Sequence, residues 1–381
     1  MTDSHTFCCT STTPTARDGL QVRSFATAAE AREAGWDKFR GLPPFLSTSW
    51  LSALCATEQG GAGGPATALQ QVVDAAMDVE LQCISQRLPV REMRLGTHVR
   101  PSIIAHALGA NAYQLGQALF SGPAYASSLS QADAVDLLAT VAERAGSQTP
   151  GAWLLKDLPT APSDADWHPL EALPEMAIAL PPTWRTFDDY LEALPSKYRR
   201  RARRARRMGS GLEVQQLDVD AADGFGESIQ ALYDDLMART PYVPFVVESG
   251  YVPRLKALRP DGTTVLGYFD GDRMVGFATL LLDGHEAMAH LAAVDPAYNA
   301  SHQLYLNLLY DLLAAAIRLG ATRLNYGRTA TTIKSSVGAV PVYYASAARH
   351  TGRVRNGLLR RVVPLVVDAA DRHQLVQRPL G

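Results

Sequence analysis

The sequence predicts an α/β fold of two lobes, each a mixed sheet flanked by helices. Three observations lead there. Stretches of period-two apolar alternation give way repeatedly to helical spacing and back, the pattern of strands joined through helices. The order of elements in the first half returns in the second. The length of 381 residues accommodates two or three domains, and 47% apolar against 19% charged residues supplies large cores.

Residues 1–18 read as a disordered leader, polar and rich in Ser and Thr. A first lobe over 19–180 opens with PFLSTSWLSALCATE, where Ser47 or Ser49 caps a helix carrying Trp50, Leu51 and Leu54. GGAGG at 60–64 is a flexible break, and ATALQQVVD with DVELQCIS forms a hairpin through a polar turn at Asp74–Asp78. Residues 86–120 show no pattern that assigns them an element. SQADAVDLLATVAERAG begins at Ser130 with Asp133 three residues on, a capping-box arrangement, and is expected to end at Gly146. AWLLKDLP follows as a buried strand.

Basic connecting helices span 181–210, and a second lobe spans 211–350. GLEVQQLD is its first strand and FGESIQALYDDLMART its first helix. TTVLGYFD and RMVGFATLLLD pair around Gly271-Asp272, a strong hairpin signal. EAMAHLAAVDP is the next strand, HQLYLNLLYDLLAAAIRLG a long helix closed by Gly320, and ATRLNYG a last core strand. GPAYASS (122–128) and DPAYNAS (295–301) each precede a helix, a glycine and a strand, which suggests a repeat. A C-terminal helix and tail occupy 351–381. RVRNGLLRRVVPLVVDAADRHQ there is interrupted at Pro364 and is read as packing on the lobes rather than lying on a membrane.

The formal net charge of −2 excludes a domain that coats nucleic acid with its whole surface, so any polyanion has to meet a local patch. Cys8 and Cys9 adjoin in the leader, while Cys55 and Cys83 have no His or Cys partner at metal spacing. Neither a disulfide framework nor a zinc site is implied, which fits a reducing compartment. No apolar run approaches the ~20 residues of a membrane span, and the first residues lack the regions of a signal peptide. The expected location is cytoplasmic. No G-x-S-x-G, Walker A or H-E-x-x-H motif occurs.

The run KYRRRARRARR (197–207) is the densest local signal. As a helix it shows arginine on nearly every face, and such density repels itself unless anions or acidic protein surface meet it. Downstream, GRTATTIKSSVG places Arg328 and Lys334 among hydroxyls and glycines, a setting that suits phosphate; the alternative is a solvated loop.

FDDYLEALPSKYRRRARRA, the hairpin after it and LGATRLNYGRTATTIKSSVGAVP together resemble the GNAT superfamily, in particular its Fem-like two-lobed group. That group includes the peptidoglycan bridge-forming aminoacyltransferases. The resemblance is best over about 180–345 and reaches PFLSTSWLSALC and LLKDLP in the first lobe. It implies an N-acyltransferase that forms an amide by direct transfer to a small-molecule or peptide amine. No permanently bound cofactor and no metal are implied; the co-substrate is acyl-CoA or aminoacyl-tRNA, with tRNA and a peripheral membrane as further partners.

One departure matters. Acetyl-CoA-binding GNATs carry an Arg/Gln-x-x-Gly-x-Gly/Ala turn before the long helix, whereas this chain has AYNASHQL. A glycine turn lets backbone N–H groups approach a pyrophosphate closely. Its absence leaves room for aminoacyl-tRNA, or for a catalytically inactive GNAT-like binding protein.

The resemblance also distributes roles. Amine acyl transfer needs a base and oxyanion donors, and the donors fall on the backbone of Ala292–Val294. His290, alternating with Met288 and Ala292, is either the base or a hydrogen-bonded core histidine. Asp295 at the strand end either holds the amine or acts as base, or is a turn or cap residue without a function. Arg328, Lys334, Ser301, Arg200, Arg203 and Arg204 are candidates for the donor phosphate. Tyr298, Tyr305 and Tyr326 are candidates for the substrate groove, or simply for packing.

Overall fold

A computed structural model describes residues 20–57, 125–148, 150–170, 173–240 and 246–367, with 13–14, 67–74, 76, 78–88, 94–95, 112–116, 120, 122–123, 242–243 and 379–380. Contacts divide the chain into two compact units. One is Met1–Ala172, Tyr242–Phe245 and Tyr344–Ala370; the other is Leu173–Pro241, Val246–Tyr343 and Asp371–Gly381. Each holds a mixed sheet flanked by helices, the fold class that the alternation of strands and helices predicted.

The first unit has a nine-stranded sheet of β1 (Thr13–Pro14), β2 (Gln21–Phe25), β3 (Thr67–Val73), β4 (Val79–Leu88), β6 (Ala112–Leu115), β7 (Tyr125–Ser127), β8 (Ala152–Leu158), β9 (His168–Leu170) and β18 (Ala345–His350). A separate pair joins β5 (Arg94–Leu95) to β12 (Tyr242–Val243). The order is β1-β2-β3-β4-β6-β8-β18-β9, with β7 beside β4. The helices are α1 (Ala28–Glu33), α2 (Thr48–Thr57), α3 (Gln131–Gln148) and α12 (Arg353–Val367). Successive side chains of a strand face opposite ways, so β4 sends Leu81 and Cys83 to the core under α3 and Ile84 to the core of α1 and α2.

Local chemistry explains most of these boundaries. α2 starts after Ser47, whose carbonyl accepts the Leu51 N–H at 2.9 Å. The β3–β4 turn is held by Asp74, whose Oδ1 accepts the N–H groups of Ala76 and Asp78. Four sequence expectations are corrected. Residues 86–120 contain the end of β4, β5 and β6; β6 pairs with strands before and after it, and its four residues carry too little pattern to show alone. Gly146 lies inside α3 rather than ending it, and it is glycine for packing: a Cβ there would come within 2.7 Å of Thr351 Cγ2 and 2.9 Å of Trp153 Nε1. The Pro-Ala-Tyr letters do not correspond, since Tyr125 is in a strand and Tyr298 in a helix. The shared order of helix and strand does hold: α3 leads into β8 as the long helix of the second unit leads into its parallel strand. Finally, α12 continues through position 364, with Asn356 and Leu359 buried beside β18. The leader of 1–18, apart from Thr13–Pro14, and the break at 60–64 lie outside the described residues.

In the second unit the strands are β10 (Glu175–Ala179), β11 (Glu213–Leu217), β13 (Thr263–Asp270), β14 (Arg273–Asp283), β15 (Glu286–Val294), β16 (Arg323–Asn325) and β17 (Val340–Val342), in the order β11-β13-β14-β15-β16-β10-β17. Among the described residues of this sheet only β15 and β16 are parallel. The helices are α4 (Phe187–Ala193), α5 (Ser196–Gly209), α6 (Val219–Gly224), α7 (Gly226–Arg239), α8 (Tyr251–Leu258), α9 (Pro296–His302), α10 (Leu304–Arg318) and α11 (Thr331–Ser336). The β13–β14 hairpin turns at Gly271, whose φ of +58° suits glycine. α10 is apolar around most of its girth and fills the core over β14 and β15.

The arginine-dense α5 is amphipathic after all. Ala202 and Ala205 are fully buried, Tyr198 packs on the core, and a Cβ at Gly209 would meet the Asn307 amide at 2.5 Å. These positions are spaced by four, three and four residues, one helical stripe. Its residues are too small to stand out in the sequence. Asn307 Nδ2 donates to Ala205 O at 2.8 Å and ties α5 to α10. Among the described residues no helix is long and apolar enough to cross a membrane.

Candidate active site

β15 meets its two neighbours unequally. Antiparallel β14 accompanies it from Glu286 to Val294, whereas parallel β16 pairs only Arg323–Asn325 with Glu286–Met288. β16 stops where Asn325 Oδ1 accepts the Gly327 N–H at 2.7 Å and Gly327 turns the chain with a φ of +70°. From Ala289 onward that edge of β15 meets no strand among the described residues. The Asp295 N–H donates to Val275 O on β14 at 2.9 Å. Antiparallel alternation therefore turns the Ala293 amide toward β14 and those of Ala292 and Val294 toward the open edge.

The pairs Ala278↔Ala292 and Leu280↔Ala289 leave Thr279 opposite two residues, His290 and Leu291. This is a β-bulge, and one inserted residue reverses the side-chain alternation. Ala287 and Ala289 contact the core under α10 before the bulge, Ala292 and Val294 after it. His290 thus shares a face with Met288 but not with Ala292, which corrects the unbroken alternation read from the sequence. Its Nε2 lies 2.7 Å from the hydroxyl of Tyr251, itself 1% exposed on α8. The ring is half-buried at its surface, and close packing pushes its pKa down to about 3. It is neutral across the physiological range.

Asp295 caps α9. Its Oδ1 accepts the Ala297 N–H at 2.9 Å and its Oδ2 pairs with Arg273 at 2.7 Å. The cap is the role its hydrogen bonds display. Tyr298 donates to Asp270 at 2.6 Å, which latches α9 to the β13–β14 turn. Ser301 bonds within α9, to Ala297 O and His302 Nδ1. Tyr305 is half-buried at the start of α10. Tyr326 is a core residue whose hydroxyl donates to Leu309 O at 2.9 Å, so its ring packs rather than lining a groove.

The segment after β16 is strained. Thr329 and Ala330 have φ of +64° and +48°, which non-glycine residues seldom adopt. Arg328 donates to Leu173 O, and Lys334, on α11, donates from Nζ to Arg328 O at 2.6 Å. Lys334 is 4% exposed, so this is no solvated loop. Burial pushes its pKa from 10.5 down to about 7, and the ammonium titrates near neutrality. The unfolded chain binds the extra proton between those values, so stability rises with pH over that window and falls on acidification toward 7. Urea unfolding is expected to show the wild type gaining on Lys334→Met by about 1.4 kcal/mol per pH unit between pH 7.5 and 9.5. Parallel curves would mean that Lys334 keeps its charge.

On α5, Lys197, Arg200, Arg203, Arg204 and Arg207 are exposed, a stripe at helical spacing opposite the alanine seam. None of them makes an ion pair among the described residues. Arg206 differs: it pairs with Asp311 at 2.6 Å and lies over the Phe187 ring at 4.7 Å. The two residues that sequence reasoning missed are Tyr251 and Thr279. Nothing in spacing links Tyr251 to His290, but Thr279 is a lone hydroxyl inside the apolar run RMVGFATLLLD.

Residues 196–335, from the start of α5 to just past Lys334, match the family described as acetyltransferase (GNAT) domain. No curated protein matches the chain. Among solved structures, the crystal structure of FemX is similar at a TM-score of 0.52 and 10% identity, over 90% of this chain and 100% of that one. A tandem GNAT protein from the clavulanic acid biosynthesis pathway gives 0.49 at 11% identity, over 87% and 99%. The C-terminal domain of a putative lysylphosphatidylglycerol synthetase from Agrobacterium fabrum gives 0.48 at 12% identity, over 92% and 100%. At 10% identity the likeness to FemX is one of fold.

Proposed function

We propose, from the match of residues 196–335 to the acetyltransferase (GNAT) domain family and the likeness in fold to FemX, that this is an N-acyltransferase. It joins an activated acyl group to an amine by direct transfer at the open edge of β15. The observation that carries this reading is the juxtaposition on one bulged strand of two outward amides, Ala292 and Val294, with the Tyr251–His290 pair. The amine attacks the acyl carbonyl, and the amides receive the oxygen as it gains charge, where preorganised donors act most strongly. The amine, neutral as it attacks, gives its proton to the Tyr251–His290 pair as the new C–N bond forms, and that proton goes on to the donor's carrier as the bond between acyl carbon and carrier breaks. A ring held neutral is always in its accepting form, although its low pKa reduces the driving force for taking the proton.

The donor's phosphate is assigned to Lys334 and Arg328. A phosphate beside the buried Lys334 restores the ammonium that burial disfavours, so binding near pH 7 takes up a proton. The exposed cations of α5, with Arg200, Arg203 and Arg204 at their centre, favour aminoacyl-tRNA over acyl-CoA as that donor, since a polyphosphate backbone is what such a stripe complements. Both donors are intracellular molecules, which supports a reaction in the cytoplasm.

Native mass spectrometry of the purified chain, followed by titration of CoA, acyl-CoA and aminoacyl-tRNA against wild type and Lys334→Ala, tests this. One donor is expected to bind, with weaker binding and no proton uptake in the variant. Equal binding by both proteins removes Lys334 from the donor site. A chain that binds a donor yet transfers to no amine is a binding protein.

A further inference from the structure

We infer that Thr279 is a positioning residue: its hydroxyl clamps the bulge in β15 and thereby sets which way His290 faces. The inference rests on the reading of that strand as the transfer site. Thr279 is fully buried in a strand otherwise apolar from Met274 to Leu282. A buried hydroxyl is costly there unless it is bonded. This one makes two bonds, both to the same residue: it accepts the Leu291 N–H at 2.8 Å and donates to Leu291 O at 3.0 Å.

A bulge interrupts the ladder and leaves backbone groups of the inserted residue without cross-strand partners. The Thr279 hydroxyl, donor and acceptor at once, answers both groups of Leu291. Valine has nearly the same shape and can answer neither. Carrying the register Ala278↔Ala292 straight through would restore the ladder, but it would put His290 opposite Leu280, on the face of the core under α10, and break its bond to Tyr251. A one-residue slip of this kind turns every side chain between the bulge and the β14–β15 turn. The turn pair Asp283↔Glu286 resists that slip, so the loss is expected as local opening around His290.

The test compares Thr279→Val with Thr279→Ser, which keeps the hydroxyl. In wild type and Thr279→Ser, the Leu291 amide is expected to exchange slowly and the His290 ring to stay neutral at pH 5.5 by NMR. In Thr279→Val, Leu291 exchange accelerates roughly ten- to hundredfold, and His290 titrates closer to its ordinary range. With a donor in hand, Thr279→Val lowers kcat at unchanged KM and Thr279→Ser does not. If Thr279→Val fails to fold, Thr279→Ala takes its place. Fast Leu291 exchange in wild type, or a folded hydroxyl-free variant with wild-type exchange and His290 titration, overturns the clamp. Exchange and titration need no substrate, so they stand apart from the function itself. Full transfer activity in His290→Gln would dismiss the base and leave the clamp in place.

Discussion

His290→Gln is expected to lower the transfer rate by about 10²–10⁴-fold, the usual loss when a general base is removed, with little change in thermal stability. Glutamine keeps a polar group within reach of Tyr251, so the neighbouring fold is retained. Asp295→Asn is the matched control. It preserves the cap on α9 and gives up the pair with Arg273, whose side chain is largely exposed and whose contribution is therefore small. Its rate should match wild type. The pH dependence separates the candidates further. With the His290 pKa pushed down to about 3, its protonation contributes no acid limb between pH 5 and 8, whereas a limb near 7 in wild type that vanishes in Lys334→Met reports the lysine. Undiminished transfer in His290→Gln would leave water, or an amine already neutral on arrival, as the proton acceptor.

Replacing Arg200, Arg203, Arg204 and Arg207 together by glutamine is expected to reduce the slope of log K against log salt by roughly 3 for tRNA binding, since each phosphate contact contributes about 0.7–0.9. Thermal stability should hold or rise, because these side chains have no acidic partner among the described residues and repel one another. Arg206→Gln is the opposite case. It leaves the half-buried Asp311 without its cation, under Tyr268 and beside α5, and stability falls while the salt slope does not. A wild type that binds no tRNA at low salt would make the stripe a solvated face. Binding to anionic vesicles instead would move the partner from nucleic acid to lipid.

The readable and unreadable parts of this chain differ by how local their causes are. The Gly271-Asp272 hairpin, the Ser130 cap and the apolar run of α10 are each dictated within one stretch of backbone, and all appear where the pattern placed them. α5 was legible as a helix but not as amphipathic, because its inward stripe consists of alanines and a glycine matched to Asn307. β6, with four residues, exists only through its partners, whereas β16 appears inside ATRLNYG, where a strand was expected.

His290, Asp295, Lys334 and the arginines could be named from residue type and position alone. Their environments could not. The bulge that sets the direction of His290 comes from a hydroxyl on the neighbouring strand, which periodicity along β15 does not contain. Lys334 reads as a loop cation until packing removes its water, and that burial brings its titration near neutrality. The sequence by itself determined which elements form, because period, caps and turns act over a few residues. Tertiary structure alone decided the register, burial and charge of the site, because those depend on neighbours far away along the chain.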